Sequence, residues 1–218
     1  MLIILLLLII DQIIKIWVKT HMHLGDSIHI TDWFYISFIE NNGMAYGMSF
    51  LYKPLLTLFR IFAICVIVYY IFKIVRKEHR FGYVFCLALI CAGAAGNIFD
   101  SLFYGQIFTV STPFNISEFV SFGQGYAPIL QGKVVDMFYF PLIVTTWPSW
   151  VPMLGGNEFI FFSPVFNFAD SCISVGVVLL FLFFRKDFDH AGRILIEGTI
   201  FDKKLKSTLK EPEIDKEL

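Results

Sequence analysis

The sequence predicts an all-α membrane protein, a four-transmembrane-helix bundle with a small extracytoplasmic β element and a long outer cap loop. Three observations lead there. Of 218 residues, 57% are hydrophobic and 16% charged, against roughly 25% charged in a soluble domain. The mean hydropathy is +0.70. The charges are also uneven, nearly absent from long apolar stretches and dense toward the C-terminus.

A helix crosses the hydrocarbon core with about 20 mostly apolar residues. Four segments suit that length: about Leu2–Val18, Pro54–Val75, Phe81–Tyr104 and Phe166–Phe184. The first begins MLIILLLLII, without a basic leader or an A-x-A-like cleavage site, and continues through Asp11 and Lys15. It reads as an uncleaved span. Lys and Arg cluster on the cytoplasmic side of such proteins. Here Lys73, Arg76, Lys77 and Arg80 follow the second span, and Arg185, Lys186, Arg193, Lys203, Lys204, Lys206, Lys210 and Lys216 follow the fourth. Both termini are therefore expected in the cytoplasm. The other two loops, about 21–53 and 105–165, hold only Lys53 and Lys133 and face outward.

One membrane domain is expected over residues 1–186, with outer loops at about 21–53 and 105–165, and a charged cytoplasmic tail over 187–218. In the first outer loop SIHITDWFYISFI is β-branched and aromatic with partial alternation, which predicts a short hairpin or sheet on the membrane surface. The second is too long to be structureless and reads as a cap, with Trp147 and Trp150 at headgroup level. Cys65, Cys86, Cys91 and Cys172 all sit in apolar stretches and read as small core filler. A net charge of -1 points to no nucleic-acid partner.

An ionisable group within a span costs about 2.5–3.5 kcal/mol on insertion scales, so each is a functional candidate. Asp11 and Lys15 lie one turn apart in the first span, a spacing that also suits a purely structural ion pair. Asn97 and Asp100 share a face near the outer end of the third, after the small-residue run Gly93–Gly96 that allows close helix approach. Asn167 and Asp170 repeat the spacing at the start of the fourth. Asp136 lies in VVDMF, an apolar strip expected to re-enter the membrane region from the outer loop. Separate segments thus bring carboxylates to one depth.

Two adjacent carboxylates share one proton. The ionised member then activates a water while the protonated one polarises a carbonyl, the aspartic protease arrangement. It needs neither metal nor histidine, and His21, His23, His29, His79 and His190 all lie outside the expected spans. No G-x-S-x-G elbow occurs. A proton-coupled transporter, a Mg²⁺-dependent hydrolase and a non-enzymatic assembly factor remain as other readings of the same acids.

Five motifs then stand in order: DQIIK (11–15), NNGMAYG (41–47), GNIFD (96–100), VVDMF (134–138) and FNFAD (166–170). With them the chain resembles the bacterial lipoprotein signal peptidase (signal peptidase II) family from Asp11 to about Phe184. The resemblance implies that Asp136 and Asp170 are the catalytic pair and that Asn97, Asp100 and Asn167 support them. Asp11 and Lys15 would help assemble the site, and Asn41 and Gly43 would meet substrate. It implies no cofactor or metal. The substrate would be a diacylglyceryl-modified prolipoprotein cut before its lipidated cysteine, beside membrane lipids in the bacterial inner membrane. Three features depart from the family pattern: Ser101 stands where Arg usually follows the GNxxD motif, Met44 replaces Ala, and the segment 102–133 is unusually long. Lys133, three residues before Asp136, is the expected replacement for the missing charge.

Overall fold

The computed structural model describes residues 2–41, 52–75 and 80–187. Gly43, Arg76, Lys77 and most of the expected tail lie outside these residues. Four long helices form where apolar stretches were read: α1 (Leu2–His21), α2 (Tyr52–Val75), α3 (Phe81–Phe99) and α5 (Phe168–Phe183). A π-helical turn, Asp100–Tyr104, and one further turn, α4 (Gly105–Ile107), extend α3. Two helices, Lys53–Lys73 and Phe81–Ile107, are long and apolar enough to cross a membrane.

Helix α1 is about 30 Å long at 1.5 Å per residue, and its polarity is inverted relative to a soluble helix. Asp11, Lys15, Val18 and Lys19 are buried, whereas Leu2, Leu5, Leu6, Ile9, Ile13 and Trp17 are exposed. Each set recurs at helical spacing and forms its own stripe. Helix α2 likewise exposes Leu55, Leu58, Phe59, Phe62, Val66, Tyr69 and Phe72.

The all-α expectation is corrected by a four-stranded antiparallel sheet, order β1-β2-β3-β6, and a separate two-stranded one, β4-β5. The hairpin predicted in the first outer loop is present as β1 (Ser27–Thr31) and β2 (Phe34–Asn41). The strands that complete its sheet, β3 (Val134–Tyr139) and β6 (Val165–Phe166), come from the second loop, as does the separate pair β4 (Ile143–Thr146) and β5 (Glu158–Phe161). Strand β3, read from sequence as a re-entering strip, escaped assignment for a physical reason. Val134, Val135, Asp136 and Met137 are all buried, so the strand is covered on both faces and shows no alternation. Periodicity does not distinguish such a run from a buried helical segment.

Two apolar clusters bracket the polar residues along the bundle. One joins Ile71, Tyr83, Cys86, Leu87, Cys91 and Leu180. The other joins Val18, Met22, Phe38, Tyr104, Phe108, Val135 and Met137, fastening α1 and the end of α3 to the sheet. Asp11 and Lys15 on α1, Asn97 and Asp100 on α3 and its extension, and Asn167 and Asp170 at the start of α5 fall between them. Helices α3 and α5 approach closely at Gly93, where an added Cβ would strike the Ala169 carbonyl, and at Gly176, where it would lie 2.9 Å from the Cys86 oxygen.

Candidate active site

Strand pairing and helix capping set the site. Asp136 sits in the middle strand β3, opposite Ile39 of β2, with Asn41 opposite Val134. Asp136 and Val134 point to one face of the strand, which puts Asn41 diagonally beside Asp136, and the Asn41 side chain hydrogen-bonds that carboxylate. Asn167 is the N-cap of α5: its Oδ1 accepts the Asp170 backbone N–H at 2.9 Å. Such a cap stabilises a helix by about 1 kcal/mol. Here it also orients the amide, because occupying Oδ1 leaves Nδ2 to donate.

Asn167 Nδ2 donates to Asp136 Oδ1 at 2.6 Å and to Asn97 Oδ1 at 3.1 Å. Asn97 Nδ2 in turn donates to Asp170 Oδ1 at 2.7 Å. Two amides therefore connect the acids, each presenting N–H to a carboxylate. Lys15 sets the direction of the chain by donating from Nζ to Asn97 Oδ1 at 2.9 Å, so that only the Asn97 NH₂ can face Asp170.

The other Lys15 donors are also used. Nζ lies 3.0 Å from Asp11 Oδ2 and 2.7 Å from Asp100 Oδ2, with all three side chains buried. An ammonium has three N–H donors, and these partners take all of them. Asp11 Oδ1 accepts the Ala169 backbone N–H at 3.0 Å, pinning α1 to the start of α5. Its Oδ2 lies where a Cβ on Gly96 would fall, so only glycine fits there. The pair from the first span is thus the hub that aligns α1, α3 and α5.

Residues not singled out in the sequence complete the hub. Gln12 Nε2 donates to Asp100 Oδ1 at 2.9 Å and Asp11 Oδ2 at 3.1 Å, and its Oε1 accepts from Tyr104 OH at 3.0 Å. An amide inside an apolar span was a signal for Gln12. Tyr104 gave none. Ser101, where the family pattern has Arg, donates to the Asn97 carbonyl one turn back at 3.0 Å, so among the described residues Lys15 is the cation in contact with the Asp100 carboxylate. Lys133 does not supply the missing charge: its Nζ pairs with Glu40 Oε2 at 2.9 Å.

The acids differ in setting. Asp136 is buried at 3% exposure, whereas Asp170 is partly exposed. Burial, and next the charge of Asp170, push the Asp136 carboxyl up to about 6, against the opposing hydrogen bonds from Asn167 and Asn41. The arrangement can hold a proton on one acid while the other is ionised. Among the described residues no cluster of three or more His, Cys, Asp or Glu is disposed to hold a metal ion.

The family model for signal peptidase (SPase) II matches residues 3–185. A lipoprotein signal peptidase of Porphyromonas gingivalis is 50% identical over 203 residues, 91% of this chain and 89% of that one. One from Amoebophilus asiaticus is 36% identical over 187 residues, 82% of this chain and 74% of that one. A solved structure described as a bacterial membrane enzyme shares the fold at 23% identity, with a TM-score of 0.58 over 85% of this chain and 92% of its own. A second of that description gives a TM-score of 0.53, also at 23% identity, covering 100% of this chain and 92% of its own. By sequence match over most of its length, this chain belongs to the signal peptidase II family.

Proposed function

We propose that Asp136 and Asp170 are the catalytic pair with which this chain carries out its family's reaction. As a signal peptidase II it is an aspartic endopeptidase that removes signal peptides from prolipoproteins. The observation that carries the residue assignment is the amide relay, in which Asn167 and Asn97 tie the two acids to each other and to Lys15. Asp136 keeps the shared proton, since burial and the neighbouring carboxylate both favour its neutral form. Asp170 takes a proton from water as that water attacks the scissile carbonyl, whose oxygen receives a hydrogen bond from Asp136. The tetrahedral intermediate collapses when the amine leaves with a proton from Asp170. Asn41 lies beside Asp136, and with Gly43 it forms the segment that meets the substrate next to the cleaved bond.

The substrate is a prolipoprotein already carrying diacylglycerol on its cysteine, which brings the bond to the membrane surface. The apolar exteriors of α1 and α2, with Val175, Val178, Phe181, Leu182 and Phe183 of α5, support four spans, since lipid asks for apolar side chains outside and polar ones inside. The β4-β5 hairpin exposes Ile143, Val144, Trp150 and Met153, a composition suited to the outer headgroup layer. Residues 1–186 form the membrane peptidase domain and 187–218 a cytoplasmic tail. Both termini then lie in the cytoplasm and the acids toward the periplasm of the inner membrane. A reporter fused after residue 78 will read cytoplasmic and one inserted near residue 120 periplasmic; the reverse pattern overturns this topology.

Purified protein incubated with a diacylglyceryl-modified precursor will cut it before the lipidated cysteine, with and without chelator. Loss of turnover in chelator would return the metal-dependent reading. The pH profile is a second measure. Asp136 is proton-bearing below about 6 and loses its proton above it, so kcat/KM falls as pH rises through that value. A profile flat from pH 5 to 8 would remove Asp136 as the proton holder.

A further inference from the structure

We propose that Glu40 is a positioning residue for this reaction, clamped between helix α1 and the long segment 102–133 so that strand β2 holds Asn41 against Asp136. The inference rests on the assignment of Asp136 as catalytic.

The Glu40 side chain is 2% exposed and, as the neighbour of Asn41, lies on the opposite face of β2. Lys19 Nζ of α1 lies 2.5 Å from its Oε1, and Ser111 Oγ donates to the same oxygen at 2.8 Å. Lys19 also donates to Ser111 at 2.8 Å. Lys133 takes Oε2 at 2.9 Å. The Tyr126 ring lies 5.1 Å from Lys19 Nζ and 5.6 Å from Lys133 Nζ, and its hydroxyl accepts the Lys133 backbone N–H at 2.7 Å.

Ser111, Tyr126 and Lys133 all belong to the long segment or its end, so the added chain grips one carboxylate. Against the cost of burial, the charges of Lys19 and Lys133 hold Glu40 below the usual carboxylate range, and Lys53 of α2 adds a further positive charge nearby. A buried charge held at both oxygens leaves its strand little freedom, and the next residue along that strand is Asn41. The long segment thus acts on the active site through the backbone of β2.

The test is a double-mutant cycle on the purified enzyme with lipidated precursor. Glu40→Gln and the milder Lys133→Met will each lower kcat, Glu40→Gln by about 10- to 100-fold, as expected for misplacement of order 1 Å, with KM changed less than about twofold. Asn41→Ala will lose a similar factor. The combination Glu40→Gln/Asn41→Ala will be no worse than Asn41→Ala alone, because both act through one contact.

The pH profile gives the sign. Asp136 is faced by Asp170 from α5, Lys15 from α1, and the Asn41 and Asn167 amides. Losing the Asn41 donor moves its limb to higher pH, whereas simple removal of a nearby negative charge would move it lower. Losses that multiply in the double variant, or a limb that stays or moves lower, overturn the proposal. So does a Lys133→Met enzyme that folds and turns over like the parent. If the unsubstituted enzyme leaves the precursor uncut, the catalytic assignment fails first.

Discussion

Asp136→Asn and Asp170→Asn will each reduce cleavage of a lipidated precursor by about 10²- to 10⁴-fold, the range expected when a general acid or base is lost. The protein itself will still insert and fold. Asparagine keeps the shape of aspartate and an acceptor oxygen for the amide that each acid receives: Asn167 Nδ2 at Asp136 and Asn97 Nδ2 at Asp170. What it cannot do is take a proton from water or share one with its neighbour. Asp136→Asn also removes a buried carboxyl whose ionised form is disfavoured by burial and by Asp170. That variant should therefore be at least as heat-stable as the parent above pH 6, with its cleavage reduced by that factor. The measurement is precursor cleavage beside thermal unfolding in detergent. Normal turnover by either folded variant would sink the assignment, and equal loss of fold and activity would show the acids to be structural.

The reason these acids were legible from sequence is the solvent. In water a lone Asp says little, whereas in an apolar span it carries an insertion cost that something must offset. Asp11, Lys15, Asp100 and Asp170 stood out on that ground, and the structure gathers them with Asn97, Asn167 and Asp136 around one relay. The four long helices were legible through the same contrast. The sheet was legible only in the hairpin, where β1 is largely exposed, whereas β3 is covered on both sides and β6 has two residues. Pairing between β2 and β3 joins the two outer loops, and nothing local to either strand encodes its partner. The π-helical turn at Asp100–Tyr104 is of the same kind. Glu40 left a fainter trace, as a charge among β-branched and aromatic residues with no partner in its own strand. Lys133 was read toward Asp100 on sequence distance from Asp136, but it lies just ahead of β3 and its side chain reaches Glu40 instead.

Lys15→Met will be the most destabilising single change in the site, by about 3–5 kcal/mol, the range for breaking a buried ion pair from one side. Methionine has nearly the volume of lysine, so packing changes little and the effect isolates the charge. Asp11 and Asp100 would then lie buried and unbalanced in the bundle, since Lys15 is the cation that both contact. Arginine is a poor substitute, because its planar fork cannot reproduce three donors converging from one nitrogen. Adding Asp100→Asn to Lys15→Met removes one of the two orphaned charges and will restore part of the unfolding temperature. It will not restore cleavage. Asn97 Oδ1 has still lost the ammonium that faces it and keeps only the longer Asn167 bond at 3.1 Å, so its amide is held less firmly with the NH₂ toward Asp170, and a flipped amide would set oxygen against carboxylate. Stability and activity therefore separate in the double variant. If Lys15→Met is as stable as the parent, the hub is not a charge balance; if the double variant recovers turnover along with stability, Lys15 does not orient the relay.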